Sequence, residues 1–85
     1  MTTAPVQHSV SLSWKGSTNP KIVSYSMYRS TIHGNSYALL ASAVGTTIFR
    51  DQSVQTGTTY YYVLTAVDNT GEESTYSNEI RVSVP

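Results

Sequence analysis

The stretch "GTTYYYVLTAVD", Gly57–Asp68, decides how this chain folds. Three consecutive tyrosines lead into an alternation of branched and small residues. Aromatic and β-branched side chains suit a pleated, half-buried surface, so the run reads as a strand, the longest in the chain. Successive side chains of a strand point to opposite faces, so the three tyrosines cannot share one task. With Tyr60 pointing inward, Tyr62, Leu64 and Ala66 follow it, while Tyr61, Val63, Thr65 and Val67 point outward.

The same period of two recurs to either side. "HSVSLSW", His8–Trp14, sets Val10, Leu12 and Trp14 against Ser9, Ser11 and Ser13, and "KGSTNP" breaks it with Gly16, Asn19 and Pro20. "IVSYSMYR", Ile22–Arg29, sets Tyr25 and Met27 against Ser24, Ser26 and Tyr28. After the His-Gly-Asn turn signal in "STIHGNS", "YALLASA" (Tyr37–Ala43) tolerates a helix but is too short for a stable one, so a short strand is expected. "TTIFRD" (Thr46–Asp51) is a further strand, and "NEIRVSV" (Asn78–Val84) closes the chain with Ile80, Val82 and Val84 alternating. Short strands separated by turn signals every eight to twelve residues or so are the mark of an antiparallel β-sandwich.

Bulk properties narrow the function. The 85 residues fit a single domain, 1–85. No cysteine is present, so neither a disulfide nor a thiolate zinc site can form. Five basic and five acidic residues cancel, which leaves no basic stripe for nucleic acid and no polybasic segment for anionic lipid. No apolar run is long enough for a membrane helix. "MTTAPVQ" lacks the basic and apolar regions of a signal peptide, which suggests a module excised from a longer protein.

"VSLSW", "YSMYR", "DQSVQTGTTYYYVLTAV" and "GEESTYSNEIRVSVP" together resemble a fibronectin type III domain of the kind found in bacterial extracellular multidomain proteins. The resemblance covers nearly the whole chain. It implies a seven-stranded Greek-key antiparallel sandwich, three strands facing four, with "VSLSW" on the second strand. It makes Trp14, Tyr25, Val54, Gly57, Tyr60, Tyr62 and Leu64 structural residues. Val54, Gly57 and Tyr60 look like the family's tyrosine corner, in which the ring packs inward and the hydroxyl bonds to backbone a few residues upstream. Cell-adhesive members carry Arg-Gly-Asp between the last two strands. Here that loop reads "DNTGEES", which gives integrin binding no support.

Candidate chemistry is sparse. Tyr61, with Tyr28 and Tyr37 from neighbouring strands, could offer rings to a sugar or a partner protein, although cross-strand tyrosines also simply stabilise a sheet. Asp68, Glu72 and Glu73 lack the ligand ladder of an EF-hand loop and read as a solvated turn. His8 and His33 have no reason to meet a nucleophile. A carboxylate pair drawn from Asp51, Asp68 and Glu79 would need a cleft that a small sandwich does not supply. Asp51 has a simpler task, bonding backbone amides at the corner into Gln52 and Ser53. The sequence therefore reads as a monomeric, non-catalytic spacer or interaction module of a larger extracellular or cell-surface protein, such as a carbohydrate-active enzyme, without cofactor or metal, its partners being neighbouring domains. The second reading is recognition of a polysaccharide or protein through the tyrosine face or the loops Lys15–Lys21 and Asp68–Ser74.

Overall fold

The computed structural model describes residues 8–85. Within them lie six strands: β1 (Val10–Ser13), β2 (Ile22–Ser30), β3 (Ala38–Val44), β4 (Ile48–Asp51), β5 (Thr59–Asp68) and β6 (Ile80–Ser83). All pairings between them are antiparallel, and they form a two-stranded sheet β1-β4 and a four-stranded sheet β3-β2-β5-β6. The fold is the all-β sandwich that the alternation implies. The expected count of seven strands, three facing four, is corrected to two facing four among the described residues. The strand expected ahead of "VSLSW" falls on residues 1–7, outside the described residues.

The core lies where the inward registers meet. Val10, Met27, Tyr60, Tyr62 and Val84 are buried, and Leu12, Trp14, Leu40, Phe49, Val54, Leu64 and Val82 pack against them. Across β2 and β5, Tyr25 faces Ala66, Met27 faces Leu64 and Arg29 faces Tyr62. Trp14 meets Tyr25 edge-on at 5.5 Å, and the Tyr25 hydroxyl accepts the Ser17 amide at 2.7 Å, which ties down the loop that follows β1.

β3 is a strand with two register irregularities against β2, between the pairs Tyr25–Val44, Met27–Ala41 and Tyr28–Leu39. Each step on β2 is matched by one residue more on β3, and Ala43 reaches φ 55° to absorb the excess. Such bulges twist an edge strand away from flat pairing with other chains.

At the corner before β5, Gly57 takes φ 76°, which a side chain would strain, and its amide donates to the Val84 carbonyl at 2.9 Å. Tyr60 is 5 % exposed, and its hydroxyl accepts the Gln55 amide at 2.8 Å. Tyr60→Phe is expected to lower stability by about 1 kcal/mol with the fold kept, the usual net worth of such a bond. Urea unfolding of this variant beside Tyr61→Phe checks it. A larger loss at Tyr61 would mean that the strand's inward face had been misassigned.

One inward position breaks the apolar rule. On β4 the inward register carries Phe49 and Asp51, leaving Ile48 65 % exposed and burying a carboxylate. The Asp51 carboxylate accepts from Arg29 at 2.8 Å, from the Tyr62 hydroxyl at 2.7 Å, and from the Ser53 amide and hydroxyl at 3.0 and 2.6 Å. Arg29 also reaches Ser53 Oγ at 2.7 Å and lies 4.9 Å over the Tyr60 ring. Asp51 therefore does turn the corner into Ser53. It also closes a buried network between the sheets, which the local sequence does not reveal.

A tyrosine ridge as the candidate functional site

On the far face of the four-stranded sheet, β2 presents Ser24, Ser26 and Tyr28, and β5 presents Tyr61, Val63, Thr65 and Val67. This face was expected to be open. Val63 and Thr65 are each only 3 % exposed, so the expectation is corrected: the face is covered.

Tyr28 of β2 lies across from Val63, and Glu73 of the segment between β5 and β6 bonds Thr65; that segment runs along β5 by an unusual ladder. Ser74 donates its amide to the Ala66 carbonyl at 2.8 Å, while its hydroxyl accepts the Ala66 amide at 2.9 Å. Ser77 repeats the arrangement on Leu64, at 2.8 and 3.0 Å. Each hydroxyl takes the place of a strand carbonyl. It then donates onward, Ser74 to the Thr75 carbonyl and Ser77 to the Asn78 carbonyl. Successive contacts are three residues apart on this segment and two apart on β5, so the chain between the serines must bulge.

Tyr76 sits in that bulge, half exposed. Its ring meets Tyr28 at 5.2 Å and 68° on one side, and Tyr37 at 5.2 Å and 63° on the other. Both are edge-to-face contacts of the favoured kind. The flanking rings are fixed in turn by carboxylates. Tyr28 donates to Glu73, which also accepts from Thr65 Oγ1 at 2.7 Å. Tyr37 donates to Glu79, which also accepts the Gly34 amide at 2.8 Å and lies 3.1 Å from His33 Nε2.

These bonds shift both sets of groups. The hydrogen bond to Glu79 pushes the Tyr37 hydroxyl up to about 12, and that to Glu73 raises Tyr28. Tyr28 and Thr65 hold Glu73 below the usual carboxylate range, and Tyr37 chiefly does the same for Glu79. At neutral pH the ridge therefore carries protonated tyrosines and ionised carboxylates.

The three tyrosines singled out in the sequence are placed unequally. Tyr28 and Tyr37 lie on either side of Tyr76, which was not anticipated. Tyr61 is not in that row; its ring neighbour is His33, at 5.5 Å and 54°. His33, expected to be idle, thus links Tyr61 to the ridge through Glu79. The one sequence signal for Tyr76 is the pair of serines three apart that bracket it.

The remaining candidates do not converge. Asp51 is enclosed by its network, and Asp68 bonds its own loop, accepting the Thr70 and Glu72 amides at 2.9 and 3.0 Å. Glu79 belongs to the ridge, so the three acids form no pair. Among the described residues no group of three His, Asp or Glu is placed to hold a metal ion. The loops Lys15–Lys21 and Asp68–Ser74 do meet, the Asn69 amide donating to the Lys21 carbonyl at 2.9 Å.

Two packed antiparallel sheets bearing a surface ridge define a sandwich domain of the immunoglobulin-like class. No family profile matches the sequence. The fold superposes on an Fn3-like protein from Clostridium thermocellum with a TM-score of 0.81 and 38 % identity, over 91 % of this chain and 77 % of that one. On that similarity the chain belongs to the fibronectin type III-like family. The twitchin kinase region from C. elegans shares the fold with a TM-score of 0.78 at 21 % identity, over 94 % of this chain and 14 % of that one. Among curated sequences, an amylopullulanase of Thermoanaerobacter thermohydrosulfuricus is 48 % identical over 71 residues, 84 % of this chain. Amylopullulanases of Thermoanaerobacterium thermosulfurigenes and Thermoanaerobacterium saccharolyticum are 40 and 41 % identical over 82 and 80 % of it. The chain spans only 4–5 % of the length of these relatives.

Proposed function

We propose that this chain is a non-catalytic module of a larger extracellular carbohydrate-active protein, folding as one domain over residues 1–85 and spacing or docking its neighbours. The observation that carries the reading is the pattern of similarity: most of this chain matches a small segment of a long enzyme. The internal chemistry is consistent with it. Asp51, the one carboxylate enclosed in the core, is saturated by Arg29, Tyr62 and Ser53, so it has no lone pair to spare for a substrate. What the fold offers a parent protein is a stiff body built on long-range sheet contacts.

The isolated chain, incubated with pullulan and with amylose, is expected to release no reducing ends above the buffer control. It is also expected to elute as a monomer and to melt in a single transition. Release of reducing ends would overturn the module reading, a dimer would overturn the monomer, and two transitions would overturn the single domain. The ridge around Tyr76 favours a second role for the same module, recognition of carbohydrate.

A further inference from the structure

We infer that the row Tyr28–Tyr76–Tyr37 is a binding site for a neutral glucan chain, with Tyr76 as the stacking ring and Glu73 as an acceptor for sugar hydroxyls. This rests on the module reading above and specifies what the module's exposed face would hold.

Three features of the ridge carry the inference. The first is rigidity. Tyr76 is half exposed, yet it is clamped between two rings that are themselves tethered to Glu73 and Glu79. An aromatic that is already fixed loses little conformational freedom when a ligand arrives, so its contact area is converted more fully into affinity. The polar bonds on the flanking rings hold the middle ring in place and leave it exposed.

The second is shape. Tyr28, Thr65, Glu73, Ser74, Thr75 and Tyr76 line a shallow, open depression, not an enclosed cavity. A small molecule needs most of its surface covered, which this place cannot do. A polymer that lies across the surface needs only a few rings and hydroxyls engaged at a time. The row of rings, set about one aromatic contact distance apart, suits an extended chain of saccharide units.

The third is charge. Glu73 and Glu79 are the fixed charges within the row, and both are held ionised. An ionised carboxylate is an acceptor only, which matches the hydroxyl donors of a sugar and repels anionic polymers. Glu73 Oε1 takes both Tyr28 and Thr65, whereas Glu73 Oε2 has no hydrogen-bond partner among the described residues. Arg81 pairs across from Tyr61, outside the row. Nucleic acid and acidic polysaccharides therefore find no counter-charge at Tyr76.

The test is an NMR titration of the chain with maltoheptaose, followed on the tyrosine ring signals, with polygalacturonate as the anionic control. Shifts confined to Tyr28, Tyr37 and Tyr76 are expected with maltoheptaose, and none with polygalacturonate. Tyr76→Ala is expected to weaken binding ~10-fold or more, as loss of a stacking ring does, while Tyr76→Phe keeps it within about threefold. The amide spectrum of each variant shows independently that it is folded. Absent or scattered shifts, binding of polygalacturonate, or unchanged affinity in a folded Tyr76→Ala would overturn the site and leave the spacer role standing. New anomeric signals from cleaved maltoheptaose would instead overturn the module reading on which it rests.

Discussion

Asp51→Ala is expected to cost about 3–5 kcal/mol, the penalty for removing one partner of a buried charge pair. Asp51 is 2 % exposed and satisfies Arg29, the Tyr62 hydroxyl and Ser53 at once. Without it, Arg29, a quarter exposed at its side chain, keeps only neutral partners, Ser53 Oγ and the Tyr60 ring. A small domain has about 5–15 kcal/mol in total, so the variant should be close to unfolded in mild urea. Urea curves followed by the fluorescence of the lone tryptophan, Trp14, measure the loss. Replacing both partners, Arg29→Met with Asp51→Leu, should recover part of it, since an apolar pair leaves no charge stranded. A double variant as unstable as the sum of the singles would show that the pair is not coupled.

Asp51 also links stability to pH. Burial by itself would raise its carboxyl, but the bonds from Ser53, Tyr62 and Arg29 outweigh burial and hold it below the usual carboxylate range. The unfolded chain, with an ordinary value near ~3.9, then takes up the proton first as pH falls. The stabilisation is complete above that unfolded value and is lost as pH falls through the lower, folded one. The urea midpoint of the wild type should therefore drop between about pH 5 and about pH 2, and Asp51→Asn should flatten that drop. Asp68, Glu73 and Glu79 are also lowered, and they account for the slope that remains. An unchanged slope in Asp51→Asn would assign the linkage to those surface acids alone.

Tyr62→Ala is expected to be of similar size, about 3–5 kcal/mol, because it empties the site of a large buried ring. Tyr62 is 1 % exposed, and burial followed by its bond to Asp51 raises its hydroxyl well above the tyrosine norm, so it stays a donor throughout the neutral range. Its neighbour supplies the contrast. Tyr61 is half-buried on the other face with its ring tilted against His33, so Tyr61→Ala should cost within about 1 kcal/mol. In thermal melts the two should separate widely, since each kcal/mol moves the midpoint by about 4–8 °C in a domain of this size. Equal shifts would mean that the triplet does not divide between core and surface.

The division of that triplet shows how far a local pattern reaches. Alternation assigns Tyr60, Tyr62, Val10, Leu12 and Met27 to one side because a strand's side-chain period does not depend on what lies opposite. It turns Asp51 inward too but offers no reason to bury a charge, because the partner is Arg29 on another strand, 22 residues away in sequence. It also misjudges Val63 and Thr65. They do point away from the core, yet both are buried, Val63 across from Tyr28 and Thr65 bonded to Glu73 of a segment that forms no regular strand.

The ridge was half legible for the same reason. Tyr28 and Tyr37 stand on or beside strands, so their face follows from register. Tyr76 stands in a bulge whose position is set by two serine side chains bonding Ala66 and Leu64, and no periodicity describes it.

By itself, the sequence determined the sandwich class, the antiparallel strands and the absence of any disulfide, since these follow from period, turn residues and composition. Only the tertiary structure decided which polar groups satisfy one another across the core and which rings meet on the surface. Those outcomes depend on distances between segments far apart in the chain, which no local period encodes.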